Sequence, residues 1–198
     1  MIQDWIPNLM ALVAGISIGL HMADWDHKLP FFDHRSFWTH GMIVPIIVWW
    51  LLVSGYNFAD PYFEDAKLNA EDWSRLLRFF GLGFFPGYAI HMCFDLFPKK
   101  WQGGALIKSP LGAFPMAGSF IWILCGQIVA NYLALRLVRT PTEALILIVA
   151  SAFLFRFYRK KEDTRWRPVA MMVGVLAFLF WVDPPLWWEP IYKTLILR

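Results

Sequence analysis

Residues 19–41 read GLHMADWDHKLPFFDHRSFWTHG, and the reading of the whole chain turns on them. They hold His21, His27, His34 and His40, with Asp24, Asp26 and Asp33 set between. The sequence contains five histidines, and the fifth, His91, stands in a second small cluster, His91-Met-Cys-Phe-Asp95. Imidazole nitrogen and carboxylate oxygen are common ligands of zinc, manganese and iron. Every histidine thus lies close to an aspartate, which predicts metal chemistry at these two places. On both sides of residues 19–41 the chain turns strongly apolar, so the ligating groups sit where hydrophobic segments end and begin.

The chain has 198 residues, 58% of them hydrophobic, with 12 Trp and 18 Phe, and a mean hydropathy of +0.46. Charged residues make up 17%, whereas a soluble domain carries about 25%. They also come in clumps between long apolar runs, which is a membrane pattern. At roughly 20 apolar residues per span, the length accommodates about five or six spanning helices and little else. The expected fold is all-α, a polytopic transmembrane helical bundle of about six spanning helices. It forms a single integral membrane domain over residues 1–198, with the metal-site half at 1–112 and accessory helices and an interfacial tail at 113–198. A net charge of +3 is too mild for nucleic acid, and the basic residues gather at predicted helix ends, where they suit lipid headgroups. Cys93 and Cys125 both fall inside apolar runs, so small buried side chains are expected rather than a disulfide. The N-terminal MIQDW has no basic region, and the first apolar run reads as a retained helix rather than a cleaved signal.

Six apolar segments follow from the pattern: residues 6–23, 41–58, 79–97, 117–138, 141–158 and 168–182, the last short and with Trp166 as an alternative start. Gly15, Ser17 and Gly19 in the first segment, and Gly81, Gly83 and Gly87 in the third, predict close helix packing. Trp187, Trp188 and Tyr192 in the tail suit the headgroup belt. Eleven Lys and Arg fall in the loops after segments one, three and five, and seven fall on the other side. The positive-inside rule then places the odd-numbered loops in the cytoplasm.

With alternating spans, the exit of segment one (His21 to His27), the start of segment two (His40) and the exit of segment three (His91, Asp95) share one side of the membrane at similar depth. One span more or less between them would separate the groups by roughly 30 Å. His91 and Asp95, four apart, share a helix face, as do His21 and Asp24, three apart. Both pairs lie near helix C-termini, where the macrodipole favours a cation.

At these residues the chain resembles the YdjM-like family of inner-membrane proteins described as metal-dependent hydrolases. That family shows a His in its first helix, a P-D-x-D-H turn, an H-R-G-x-T-H segment, a G-Y-x-x-H-x-x-x-D helix, and a Gly-containing loop ending in Pro. The corresponding text here is His21, then Ala23-Asp24-Trp25-Asp26-His27, His34-Arg35-Ser36-Phe37-Trp38-Thr39-His40, Gly87-Tyr88-Ala89-Ile90-His91 through Asp95, and residues 102–110 ending in Pro110. Ala23 stands where the family has Pro, and one extra residue separates Arg35 from Thr39. The match covers roughly the first 112 residues, and it implies a bacterial inner-membrane protein holding a metal site.

The expected metal ligands are His21, Asp24, Asp26, His27, His40, His91 and Asp95. They exceed the four or so that one zinc takes, so one or two divalent ions are expected, with zinc foremost and manganese or iron as alternatives. A metal-activated water at the cytoplasmic interface would hydrolyse a phosphoester or lipid-linked substrate. His34 or Asp33 would serve as general acid/base or extra ligand, Arg35 and Lys108 would hold a phosphate, and Thr39 would support His40. Membrane lipids are the expected surroundings, and oligomeric state is left open. Two rival readings remain: a haem or quinone protein using His21 and His91, and a non-catalytic metal-stabilised scaffold. A transporter ranks behind both, because segments four to six carry almost no ionisable residue at mid-membrane.

Overall fold

The computed structural model describes residues 5–28, 35–59, 70–97, 106–157, 166–185 and 188. Six helices carry the described chain: α1 (Trp5–Met22), α2 (Ile43–Ala59), α3 (Ala70–Leu96), α4 (Met116–Leu137), α5 (Pro141–Phe157) and α6 (Trp166–Val182). A 3₁₀ turn (Ala23–Lys28) follows α1, and a two-residue hairpin, β1 (Lys108–Ser109) and β2 (Gly112–Ala113), precedes α4. The all-α expectation holds.

Helix α3 is the axis of the molecule. Every residue from 81 to 96 is buried, and α1, α2, α4, α5 and α6 all pack against it. The closest neighbour is α1, and small residues are the reason. A methyl group on Gly15 would run into the carbonyl oxygen of Phe80, and one on Gly83 would run into that of Leu12. The two backbones therefore touch, which only hydrogen at these positions permits. On the far side of the site, a Cβ on Gly126 of α4 would lie 2.5 Å from the carbonyl carbon of Gly41. The turn carrying His40 is thus held between α4 and α3.

The helix ends follow local chemistry. Thr140 caps α5, its Oγ1 accepting the Glu143 N–H at 3.2 Å. Glu143 in turn accepts from the Arg139 N–H at 2.8 Å and from Arg78 Nη1 of α3 at 2.8 Å. Helix α3 begins at Ala70, well before the apolar run that starts at Phe79. Its first turns are polar, with Glu71 and Asp72 at the positive end of the helix dipole and Arg75 bonded to Glu71 at 2.9 Å. Hydropathy cannot register such turns. Helix α6 begins at Trp166, the earlier of the two expected starts.

Among the described residues two helices are long and apolar enough to cross a membrane, Trp5–Asp26 and Met116–Leu137, while Ile43–Gly55 and Trp166–Val182 are shorter apolar helices. Large apolar side chains lie on the outside as well as in the core. Trp50 and Leu51 of α2, Ile148 and Val149 of α5, and Val173 and Trp181 of α6 are exposed. His40, His91, Asp95, Gln127 and Asn131 are buried.

Candidate metal centre

His91 lies on the buried face of α3, and its Nδ1 is 2.7 Å from the Leu20 carbonyl oxygen at the end of α1. The glycine contact between α1 and α3 brings that carbonyl within reach. A backbone carbonyl can only accept, so Nδ1 carries a proton, and Nε2 is the nitrogen whose lone pair a metal ion or a second proton can take. That Nε2 faces Asp95 Oδ2 at 2.9 Å and Asp24 Oδ1 at 3.7 Å.

His40 is oriented in the same sense by a different partner. Thr39 Oγ1 lies 3.1 Å from Asp26 Oδ2, 3.3 Å from the Ser36 carbonyl and 2.9 Å from His40 Nδ1. The first two can only accept, so the hydroxyl donates to one of them and accepts from His40 Nδ1–H. Asp26 also accepts the Ser36 N–H at 3.1 Å and stands 3.4 Å from His40 Nδ1. His40 Nε2 then points inward, 3.4 Å from Asp95 Oδ2. The two imidazoles meet edge to face with centroids 5.8 Å apart.

Asp24, His40 and His91 each offer a ligand atom, and these atoms all lie within 4.8 Å of one another. This group could hold a metal ion, and Asp95 stands against both of its histidines. Two imidazole lone pairs aimed at carboxylate oxygens repel unless a cation, a proton or a metal ion, lies between them. Ligands around an ion with bonds of about 2.0–2.2 Å are roughly 3–3.5 Å apart, and the histidine–aspartate pairs here stand at 2.9, 3.4 and 3.7 Å within a group that spans up to 4.8 Å. His40 and His91 are fully buried, whereas the Asp24 side chain is 34% exposed. The centre therefore opens to its surroundings past Asp24.

Of the seven expected ligands, the structure gathers Asp24, His40, His91 and Asp95. Asp26 is placed behind His40, holding the ring rather than facing the centre. His21 departs from expectation. Its ring is exposed, its Nδ1 bonds the Ser17 carbonyl at 2.7 Å, and it lies outside the group. The cause is its place on the helix: α1 buries Gly15, Gly19 and Leu20, with both glycines against α3, and His21 falls on the exposed side. Pairing His21 with His91 around a haem finds no support in this arrangement. His27 is the penultimate residue of the 3₁₀ turn, and its side chain lies outside what the structure describes. Asp33 and His34 lie outside the described residues. Arg35 and Lys108 are joined through their backbones, Lys108 N–H donating to the Arg35 carbonyl at 3.0 Å and Phe37 N–H to the Lys108 carbonyl at 2.8 Å. Arg35 takes φ 61°, a left-handed conformation uncommon outside glycine.

Three supports were not singled out in the sequence. The Ser36 N–H holds Asp26, and the Leu20 carbonyl orients His91. Tyr88 is buried, with its hydroxyl 2.7 Å from the Thr39 carbonyl, 2.8 Å from the Gly41 carbonyl and 3.0 Å from the Gly41 N–H, so it grips the turn on both sides of His40. A tyrosine three residues before a buried histidine in an apolar helix is a detectable signal, since its hydroxyl needs a partner.

The chain matches no family model, no curated protein and no solved structure.

Proposed function

We propose that the chain is a membrane-embedded, divalent-metal-dependent hydrolase acting at the cytoplasmic membrane interface on a phosphoester or lipid-linked substrate. In this reading all six helices span, and the chain is a divergent relative of the YdjM-like family. The observation that carries it is the convergence of His40 Nε2, His91 Nε2, Asp24 and Asp95, with each imidazole tied back through Nδ1 by an acceptor. Imidazoles held by carboxylate, hydroxyl or carbonyl partners are the usual support of metal-ligating histidine. Zinc suits the mixed nitrogen and oxygen donors, with manganese or iron as alternatives.

Such an ion supplies Lewis-acid polarisation and lowers the pKa of a bound water towards about 7. The chain's own part is to position and to admit. Asp24 lies at the open side, as a catalytic rather than a closed structural site requires. That exposure favours the enzyme over the metal-stabilised scaffold. Arg35 and Lys108, adjacent through the β1 bridge, are the cations proposed to hold a phosphate oxygen. His34 or Asp33 is the proposed general acid/base or extra ligand. The excess of Lys and Arg in the odd-numbered loops supports the cytoplasmic side.

The test is hydrolysis of phosphodiester, phosphomonoester and carboxylic ester probes by detergent-purified protein, with and without a chelator. The proposal expects turnover of a phosphoester that the chelator abolishes, divalent metal restores, and His91→Ala lacks. Stoichiometric metal with no turnover of any probe would favour the scaffold.

A further inference from the structure

We propose that a cleft between α2, α3 and α4, remote from the metal centre, binds the phosphate of an anionic glycerophospholipid, with an acyl chain lying along α2. The cleft has a volume of about 190 Å³, with an apolar wall of Trp49, Leu52, Val53 and Leu77 and a basic end formed by Arg78 and Arg139. It lies near the start of α3. His91 lies thirteen positions after Arg78, about 20 Å along the helix.

Arg78 is fixed in place. Its side chain is 14% exposed, and Nη1 donates to Glu143 Oε1 at 2.8 Å, to Oε2 at 2.9 Å and to the Leu137 carbonyl at 3.3 Å. Among the described residues all its hydrogen bonds run through Nη1, so the Nε and Nη2 hydrogens remain for a ligand. Arg139 bonds Glu143 through its backbone N–H at 2.8 Å, leaving the guanidinium outside that contact. Two guanidiniums against one carboxylate leave a net positive charge at the basic end. A phosphate diester complements that charge, and guanidinium is the side chain best shaped to grip it.

The wall selects the rest of the ligand. Arg78 immediately precedes the apolar run of α3, and Arg139 follows the apolar helix Met116–Leu137 by two residues. In the membrane reading, on which this inference rests, both arginines stand at headgroup depth. Val53 lines the cleft and is 43% exposed, next to exposed Trp50 and Leu51, so the cleft opens sideways towards acyl chains. A free phosphate would leave that wall uncovered. A zwitterionic lipid brings its own cation to an already positive site.

The experiment is native mass spectrometry of detergent-purified protein with phosphatidylglycerol, phosphatidylcholine or inorganic phosphate, with metal content measured on each sample. Wild type should retain one phosphatidylglycerol in preference to phosphatidylcholine. Arg139→Ala should lower that retention about fivefold, the size expected of one interfacial arginine. Val53→Trp, which fills the cleft, should abolish it. Metal content should be unchanged in both variants, which shows that they fold. Equal retention of the two lipids, or undiminished retention by Arg139→Ala, would overturn the site. Displacement of phosphatidylglycerol by millimolar phosphate would show an anion site without a lipid and equally overturn it. A chain soluble without detergent would overturn the membrane reading and the lipid site together, whereas loss of lipid preference in a detergent-dependent chain removes the lipid site alone.

Discussion

Asp26 does not face the middle of the cluster, yet it sets how His40 presents itself. Its carboxylate takes the Ser36 N–H and stands behind His40 Nδ1, with Thr39 bridging the two. Asp26→Asn keeps the size of the side chain and removes the charge, so metal affinity should fall about 10- to 100-fold while the helical signal stays. Titration of the metal-free protein against a competing chelator checks this, and unchanged affinity would remove Asp26 from the account. Tyr88→Phe tests the grip on the same turn. It leaves the buried Gly41 N–H without its hydroxyl partner, at a cost of about 1–3 kcal/mol readable in thermal or denaturant unfolding. Much of this scale was legible in advance. His91 and Asp95 share a face because four residues make nearly one helical turn, and the alternating direction of the apolar segments brought His40 to the same end as both. His21 was misplaced because its spacing to Asp24 does not tell which side of α1 packs against α3, and His21 lies on the exposed side. The role of Asp26 was hidden because it depends on Ser36 and Thr39, contacts made by a turn rather than by a periodic element.

At the scale of elements, the contact between α1 and α3 positions the centre. It carries the Leu20 carbonyl to His91 and aligns the end of α1 with the end of α3. Gly83→Ala would press a methyl against the Leu12 carbonyl, and such overpacking costs about 1–3 kcal/mol. The variant should lose stability and bind metal more weakly, because the His91 partner moves with α1. Gly174→Ala is the control. Nothing lies within 4 Å of a Cβ there, so alanine should be tolerated or mildly stabilising. The small-residue spacing of segments one and three announced close packing, although not that Gly15, Gly19, Gly83 and Gly87 each face a backbone oxygen of the other helix. The hairpin before α4 was not legible at all. Two residues per strand leave no alternation to detect, and its attachment to Arg35 runs through backbone groups that any sequence carries. Ser119 anchors it, accepting the buried Ile107 N–H at 3.0 Å. Ser119→Ala should therefore destabilise the protein by about 1–3 kcal/mol.

For the molecule as a whole, the order of six apolar segments was readable because each is a mainly apolar run set off from the next by clustered charge or proline. The start of α3 was not, since Glu71, Asp72 and Arg75 form a helix that hydropathy cannot see. Exposed apolar residues surround a core that holds buried His, Asp, Gln and Asn. If this pattern reflects a lipid environment, the chain should stay with membranes through an alkaline wash and require detergent for release. Recovery in the wash supernatant would contradict that. The central claim, however, is the metal centre, and it is tested most directly by elemental analysis of protein purified without chelators, alongside His40→Ala and His91→Ala. The account predicts at least one divalent metal ion per wild-type chain and its loss from both variants. A folded wild-type chain that carries no stoichiometric metal, and takes up none when metal is supplied, would contradict it.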